Sequence, residues 1–418
     1  MKRLFPRYRI YRLRELLAIV SFDIVTYILL APLKIFHLYI GNRLRDYSKD
    51  KIRKILIFRT DRIGDLVMTL PAIKLLRERY PEAKLHLVAG RWNEPILNYV
   101  KYFDLIHFWS PSWISRGEES DSILRLCSRA IQIRKEQYDL SIDFTSDVRI
   151  NLLMWLSGAK KRIGYSDSGG GAFLTETVED GGIHRVEQNM EPLKTLGIVE
   201  KDYVPKLEGT IQFENGIGKT LGAFDGKDIN GNITQYIIIH PWGGRPVKTW
   251  RMEKYAGLAK MIREKLKINI IITGSGQDYA LCEAIKEKSG ISVLNLAGKL
   301  TFEQMMSAMK SALVFISPDT GPMHIAAALG APTVTLFGPS DPAKYGPYGD
   351  PKLHRVVVPK DIECLHCNKI RKPPERCFKD GISLCMEAIS VEDVFKECKA
   401  LLDSTGKRRG IGIPKKRR

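Results

Sequence analysis

The chain has 418 residues, 44% of them apolar and 27% charged, a length and composition that predict a folded protein of two domains and exclude a disordered or fibrous chain. Its formal charge of +19 is concentrated at the ends: residues 1–50 hold ten Lys/Arg against four Asp/Glu, and the stretch from Ser404 onward holds seven basic residues and no acid. That distribution excludes a uniformly basic nucleic-acid-binding body and points to extensions that meet an anionic surface.

The N-terminal extension couples the basic run MKRLFPRYRIYRLR to LLAIVSFDIVTYILLAPLKIFHLYIG. Leu16 to Leu33 approaches membrane length, but Asp23 lies inside it and Pro32 breaks it. A cleaved signal peptide is a poor fit because no small-residue cleavage site follows. A spanning helix and a helix packed on the protein itself stay open beside the favoured reading. That reading is an interfacial or re-entrant helix pair bent near Pro32, with Lys and Arg meeting lipid phosphates.

From Lys51 the pattern becomes an alternation of strands and helices. IRKILIF reads as a buried strand, GDLVMTLPAIKLLRERY as a helix, KLHLVAG and DLIHFW as strands, SILRLCSRAIQIRKEQ as a helix and YDLSIDF as a strand. A polar, glycine-bearing stretch around Asn215 to Asn232 separates this series from a second one. There QYIIIH, INIIIT, SVLNLAG, LVFIS and PTVTLFG read as strands, with helices from Glu253, through Ala280, from Thr301 and from Pro322. The expected architecture is α/β, with two Rossmann-like doubly wound domains, 51–215 and 228–403, between the extension 1–50 and a basic tail 404–418. A ligand cleft is expected at the carboxyl ends of the strands.

The segments at those strand ends carry the chemistry. After the first strand, RTDRIGDLVMTLPA places Gly64 where a ligand can approach the backbone and Asp65 in the first helical turn. Asp65 is either a helix cap or a catalytic carboxylate, and Asp61 competes with it. HPWGGRPVKTW follows the first strand of the second series and brings Arg245, Lys248, Thr249 and Arg251 next to two glycines, a pattern suited to phosphate. TGSGQD adds Gly274 and Asp278 in a short glycine loop. In SPDTGPMHIAAALGAPTVTLFG a buried strand stops on Asp319-Thr320-Gly321-Pro322 and a helix starts at once. Pro322 suits the first turn, Gly321 admits a ligand, Asp319 and Thr320 offer capping oxygens, and His324 stands one turn in, so the helix start is a candidate anion site.

Taken together these segments, with RIGY at Arg162 to Tyr165 and HRVEQN at His184 to Asn189, resemble the ADP-heptose:lipopolysaccharide heptosyltransferase family, inverting glycosyltransferases of the GT-B fold. The likeness runs from about Lys51 to Leu402 and leaves out residues 1–50 and the basic tail. It implies transfer of a heptose from a nucleotide-activated donor to a lipopolysaccharide core or related lipid-linked saccharide. Asp65 would be the general base and Lys248 the cation that stabilises the departing nucleoside diphosphate. Gly64, Thr249, Gly274, Asp278, Asp319, Thr320, Gly321 and His324 would lie around the donor. Another nucleotide sugar, or a non-catalytic membrane-associated nucleotide-binding scaffold, is the alternative. No G-x-G-x-x-G of a dinucleotide enzyme follows the first strand, and no nucleic-acid recognition motif is present. The resemblance also implies that no cofactor is needed for transfer, and that the chain works at the cytoplasmic face of the inner membrane.

Four of the seven cysteines fall within 22 residues: Cys364, Cys367, Cys377 and Cys385, spaced C-x2-C-x9-C-x7-C. The spacing fits a structural zinc or an iron–sulfur cluster, with free thiols and disulfides as the other readings. Cys127, Cys282 and Cys398 fall on expected helices and read as buried apolar residues.

Overall fold

The computed structural model describes residues 19–21, 23–30, 51–181, 184–200, 203–207, 235–368, 377–379 and 381–406. The chain divides into two compact units, Met1–Tyr203 and Val204–Arg418.

In the first unit, strands β1 (Lys54–Arg59), β2 (Lys84–Ala89), β3 (Leu105–Phe108), β4 (Leu140–Asp143), β5 (Lys161–Tyr165) and β6 (Glu176–Val178) form one sheet in the order β3-β2-β1-β4-β5-β6. Every pair in it is parallel. Helices α1 (Ile63–Arg79), α2 (Ile123–Gln132) and α3 (Val148–Leu156) lie among the crossovers. Strand β1 is central, and Ile55, Leu56, Ile57 and Phe58 are completely buried, as a parallel strand covered on both faces requires. Leu56 and Phe58 share a core with Leu126, Tyr138, Ile150, Leu153 and Met154.

The second unit repeats the plan. Strands β7 (Tyr236–Ile239), β8 (Asn269–Ile272), β9 (Leu294–Asn295), β10 (Val314–Pro318), β11 (Thr333–Leu336) and β12 (His354–Val357) are ordered β12-β11-β10-β7-β8-β9. Numbered within each unit, both sheets read 3-2-1-4-5-6, the doubly wound order whose strand direction of growth reverses between the first and fourth strands. The switch points are therefore β1/β4, where Phe58 pairs with Asp143, and β7/β10, where Ile239 pairs with Ile316. Helices α4 (Met252–Leu266), α5 (Tyr279–Ser289), α6 (Phe302–Ser311), α7 (Gly321–Ala328) and α8 (Val391–Thr405) complete the unit. Trp250 is fully buried, stands edge-on to Tyr255 at 4.9 Å, and donates its indole N–H to the Ile389 carbonyl at 3.1 Å. That contact ties the loop after β7 to the segment leading into α8. Cys282 and Cys398 are buried apolar members of this core, while Cys127 is half-buried against the first.

Strands β5, β6 and β12 and helix α3 extend the architecture beyond the alternation read from the sequence, and SVLNLAG contributes only two strand residues. No described helix is long and apolar enough to cross a membrane. Residues 19–21 and 23–30 are helical. Pro32, the glycine-bearing stretch around 215–232 and the basic residues from 407 onward lie outside the described residues.

Candidate active site

At the first switch point, β1 ends on Arg59, a guanidinium with no solvent exposure. It donates to the Asp61 carboxylate (3.1 Å), to the Phe144 carbonyl beyond β4, and through Nε and Nη2 to the Asp65 carbonyl (3.2 and 3.0 Å). The Asp65 carboxylate lies 3.8 Å from the same guanidinium. A buried arginine can be held only by such a complete set of acceptors. It joins the strand end, the first helical turn and both acids into one rigid group. The indole N–H of Trp92 and the amide of Asn93, each at 2.8 Å, bind the Asp61 carbonyl and fix the turn from the other side.

The two acids of RTDRIGD differ in surroundings. Burial, then the nearby Asp65, raise the Asp61 pKa to about 7, against the opposing charges of Arg59 and Arg185. Asp65 is the more open carboxylate, with its side chain 29% exposed against 21% for Asp61. It is not the N-cap of α1: Arg62 occupies that position and its side chain makes no capping bond. Asp143, at the end of β4, is a third acid at this switch point. Burial raises its pKa to about 7 in spite of hydrogen bonds from the Thr145 and Ser146 N–H groups. Sequence reasoning passed over Arg59 and Asp143, although both close apolar strand runs at carboxyl ends, where charged residues are costly unless used. Gly64 is buried in the first turn of α1. Asn189, from HRVEQN, binds the Met68 carbonyl (3.0 Å) and Thr69 Oγ1 (3.1 Å) of α1, and Tyr165, from RIGY, donates to the Gln188 carbonyl. Both motifs thus brace the helix that carries Asp65. Beyond β3 an open cavity of about 380 Å³ is lined by Arg91, His107, Trp109 and Arg129.

At the second switch point, Lys248 sits in a single 3-10 turn, Pro246–Lys248, after β7. A Cβ on Gly243 would fall 2.7 Å from the Lys248 Cβ, so the double glycine lets the loop fold back on the lysine. The Lys248 ammonium meets the Asp319 carboxylate of β10's carboxyl end at 2.5 Å, with the side chains 16% and 10% exposed. Burial alone would push the Asp319 pKa up; the charge and hydrogen bond of Lys248 outweigh it and hold it below the ordinary carboxylate value. Thr320 is the N-cap of α7 with Pro322 in the first turn, as expected, but its side chain makes no capping bond. The expected capping role of Asp319 is also corrected, because its carboxylate turns to Lys248. Gly321 opens the helix, and His324 is buried close enough for its charge to act on Asp319.

Other residues expected around the donor or its phosphates turn to local work. Thr249 Oγ1 donates to the Arg245 carbonyl (3.2 Å), and Arg251 pairs with Glu387 at 2.8 Å. Asp278 closes a capping box, accepting from the Ser275 N–H and hydroxyl at 2.7 Å each, and a Cβ on Gly274 would fall 2.8 Å from the Asp278 Cβ. The expected metal site at the cysteine set finds no support among the described residues. Among the described residues no three His, Cys, Asp or Glu side chains are gathered to hold a metal. Cys385 is buried beside Gly338, with Ser383 Oγ 3.5 Å from its sulfur, and burial raises its thiol pKa. Cys364 is exposed, and Cys377 follows residues 369–376, outside the described set.

The sequence profile of glycosyltransferase family 9 (heptosyltransferase) matches residues 127–377, an interval that includes Lys248 and Asp319 and begins after Asp65. The chain is 24% identical over 346 residues to lipopolysaccharide heptosyltransferase 3 of Escherichia coli (strain K12), covering 81% of this chain and 95% of that protein. Among solved structures it is similar to E. coli ADP-heptose lps heptosyltransferase II (TM-score 0.65, 21% identity, 84% of this chain and 99% of that one). It is also similar to E. coli heptosyltransferase WaaC with ADP-2-deoxy-2-fluoro heptose (TM-score 0.59, 19% identity, 83% and 99%).

Proposed function

Because the chain belongs to glycosyltransferase family 9, the heptosyltransferases, we propose that it transfers a heptose from ADP-heptose to the core of lipopolysaccharide or a related lipid-linked saccharide, with inversion at the anomeric carbon. The observation that carries this reading is the Lys248–Asp319 pair set beside the start of α7 at a topological switch point. It places a fixed cation beside a helix N-terminus, the combination suited to a diphosphate. The names of the similar proteins support the donor and acceptor classes: one is a lipopolysaccharide heptosyltransferase, and another was solved with an ADP-heptose analogue.

In the proposed reaction an acceptor hydroxyl attacks the anomeric carbon from the face opposite the nucleotide. A glycosidic C–O bond forms, the bond from the anomeric carbon to the diphosphate oxygen breaks, and the hydroxyl proton passes to the Asp65 carboxylate. Asp65 suits the role because it is the more exposed acid and Arg59 fixes the backbone beneath it. Asp61 and Asp143, whose protons are held to about pH 7, would surround it with groups carrying less negative charge than three ordinary carboxylates. Charge growing on the departing diphosphate would be met by Lys248, by the first N–H groups of α7 and by His324. These groups supply the electrostatic stabilisation without a resident cofactor. Arg91 and Arg129 beyond β3 suit an anionic saccharide acceptor.

A structural metal at the four cysteines is a separate proposal with no part in transfer. Stoichiometric zinc or iron in chain purified without chelators, lost in Cys385→Ser, would support it; a folded, metal-free chain would reject it. Membrane-surface attachment through the terminal extensions is proposed from their charge and apolar content. The transfer reading is tested by offering the chain ADP-heptose, UDP-hexose and GDP-hexose with a heptose-deficient core acceptor and reading the product anomer by NMR. Transfer from ADP-heptose with inverted configuration is expected. Transfer only from another nucleotide sugar, or retained configuration, would overturn it.

A further inference from the structure

The helical residues 19–21 and 23–30 bury two polar side chains and expose four large apolar ones. The side against the protein carries Asp23 and Thr26, 4% and 9% exposed. The Asp23 carboxylate accepts a 2.7 Å hydrogen bond from the Gly170 N–H, and Thr26 Oγ1 donates to the Asp23 carbonyl at 3.0 Å. The receiving loop is shaped for this contact. Gly169 has φ +93°, and a Cβ there would fall 2.5 Å from the Ile19 side chain. On the opposite side Ile24, Val25, Ile28 and Leu29 are 56%, 52%, 68% and 69% exposed. A surface helix in water turns its apolar stripe inward and its polar residues out. Here two polar side chains are buried while four large apolar ones are exposed, and the single acid that counted against membrane contact in the sequence is consumed by the protein.

We infer that this helix is a lipid-facing clamp: Asp23 locks it to the first unit, and Ile24, Val25, Ile28 and Leu29 enter the surface of an anionic phospholipid bilayer. Charge identifies the occupant. The sequence on either side, residues 1–18 and 31–50, carries ten Lys/Arg against three acids. That excess draws anionic headgroups and opposes the approach of a second copy through the same patch. An apolar insertion joined to basic flanks is the combination that converts transient contact into stable attachment.

The clamp has a defined place in the fold. Gly169 and Gly170 follow the carboxyl end of β5, where Asn151 Nδ2 binds the Tyr165 and Gly169 carbonyls at 3.0 Å each. Ser146 then links Asp167 of this loop (2.9 Å) to Asp143 at the end of β4 (2.9 Å). The lipid-facing patch is thereby fastened to the edge of the sheet that holds the candidate base. This inference rests on the proposed function only in that a lipid-linked acceptor would be delivered to that edge.

The test uses the full chain with phosphatidylcholine vesicles, with and without phosphatidylglycerol, in flotation, alongside turnover on a water-soluble acceptor analogue. Wild type should float with the anionic vesicles. Ile28→Glu/Leu29→Glu should weaken flotation by about tenfold or more and leave soluble-acceptor turnover unchanged. Asp23→Ala should still float but lose about tenfold in turnover on vesicle-borne acceptor only, because the active unit is no longer held at a fixed place on the surface. Equal flotation of the double variant would overturn the lipid-facing assignment. So would a dimer-to-monomer change in that variant without loss of flotation, which would give the patch to a second copy. Unchanged vesicle turnover in Asp23→Ala would overturn the clamp. Absence of soluble-acceptor turnover in wild type would instead count against the transferase reading and leave the flotation result standing.

Discussion

Lys248→Ala separates a nucleotide-binding lysine from a mere counterion, because the structure sets different magnitudes for the two roles. The wild-type pair is close and largely buried, at 2.5 Å with 16% and 10% of the side chains exposed. Removing the cation strands the Asp319 carboxylate, a change that costs about 3–5 kcal/mol when the remaining charge stays ionised. With Lys248 present, the Asp319 pKa lies below its ordinary value, so the pair's contribution is present above the unfolded pKa and is lost as pH falls through the folded one. Without Lys248, burial, the largest single cause, is opposed only by the Ser340 hydrogen bond and the His324 charge, so the pKa should rise above the ordinary value and stability should fall as pH increases. The deficit of the single variant should therefore be larger at pH 8 than at pH 5 in guanidinium melts. Lys248→Ala/Asp319→Asn removes the stranded charge and should return to within about 1–2 kcal/mol of wild type. ADP affinity by calorimetry should behave differently. Loss of a charge-assisted contact is worth about 1.5–3 kcal/mol, or roughly 10–150-fold in Kd, and the double variant should not regain it. Recovery of affinity together with stability would refute phosphate contact and leave Lys248 as the partner of Asp319 alone.

Asp65→Asn should lower turnover by about 10²–10⁴-fold with ADP affinity unchanged, the range for a lost general base; a larger loss in Asp61→Asn than in Asp65→Asn would move that role to Asp61. Asp61 and Asp143 hold protons to about pH 7 in the folded chain, burial being the leading cause in each case. Since the folded state then binds more protons than the unfolded one between about pH 4 and 7, stability should fall across that window, by at most about 4 kcal/mol per group at 1.36 kcal/mol per pH unit. Asp143→Asn should flatten the fall in urea melts taken at successive pH values, and an unchanged slope would reject the assignment. Deleting residues 407–418 should weaken anionic-vesicle binding by up to roughly 1 kcal/mol per basic residue at low salt and little at high salt; a loss independent of salt would show that the tail does not act through charge.

Legibility in the sequence followed burial. The run from Ile55 to Phe58 is apolar at every position because β1 is covered on both faces, and the same holds for Ile237–Ile239 and Ile270–Ile272, whose residues are all buried. Strand β5 was hidden by Lys161 and Arg162, which look like a surface turn. The Arg162 guanidinium is in fact spent on the Phe173 and Ala159 carbonyls, so a charged residue behaves as a structural cross-link that periodicity cannot register. At the site, SPDTGPM did disclose a helix start beside an acid, and Lys248 was legible from its glycine-bearing loop. What the local pattern lacked was the partner. Asp319 reads as a cap until a lysine 71 residues earlier takes its carboxylate, and Asp278 reads as a ligand contact until Ser275 closes on it. Arg59 was in plain view in RTDRIGD, but its role depends on carbonyls contributed by Phe144 and Asp65, and only the pairing of β1 with β4 brings the first of them near.

Each six-stranded sheet closes an apolar interior of its own, and Lys248, Asp319, Thr320, Gly321 and His324 all belong to the second. A ligand that contacts only one of two separately cored bodies stabilises that body alone, by an amount set by its concentration over its dissociation constant. In scanning calorimetry the chain should accordingly absorb heat in two steps, and ADP should move one of them upward while the other stays in place. The shifted step would report on nucleotide occupancy even in a variant whose transfer chemistry has been abolished, so that binding could be followed in the folded enzyme without any acceptor at all.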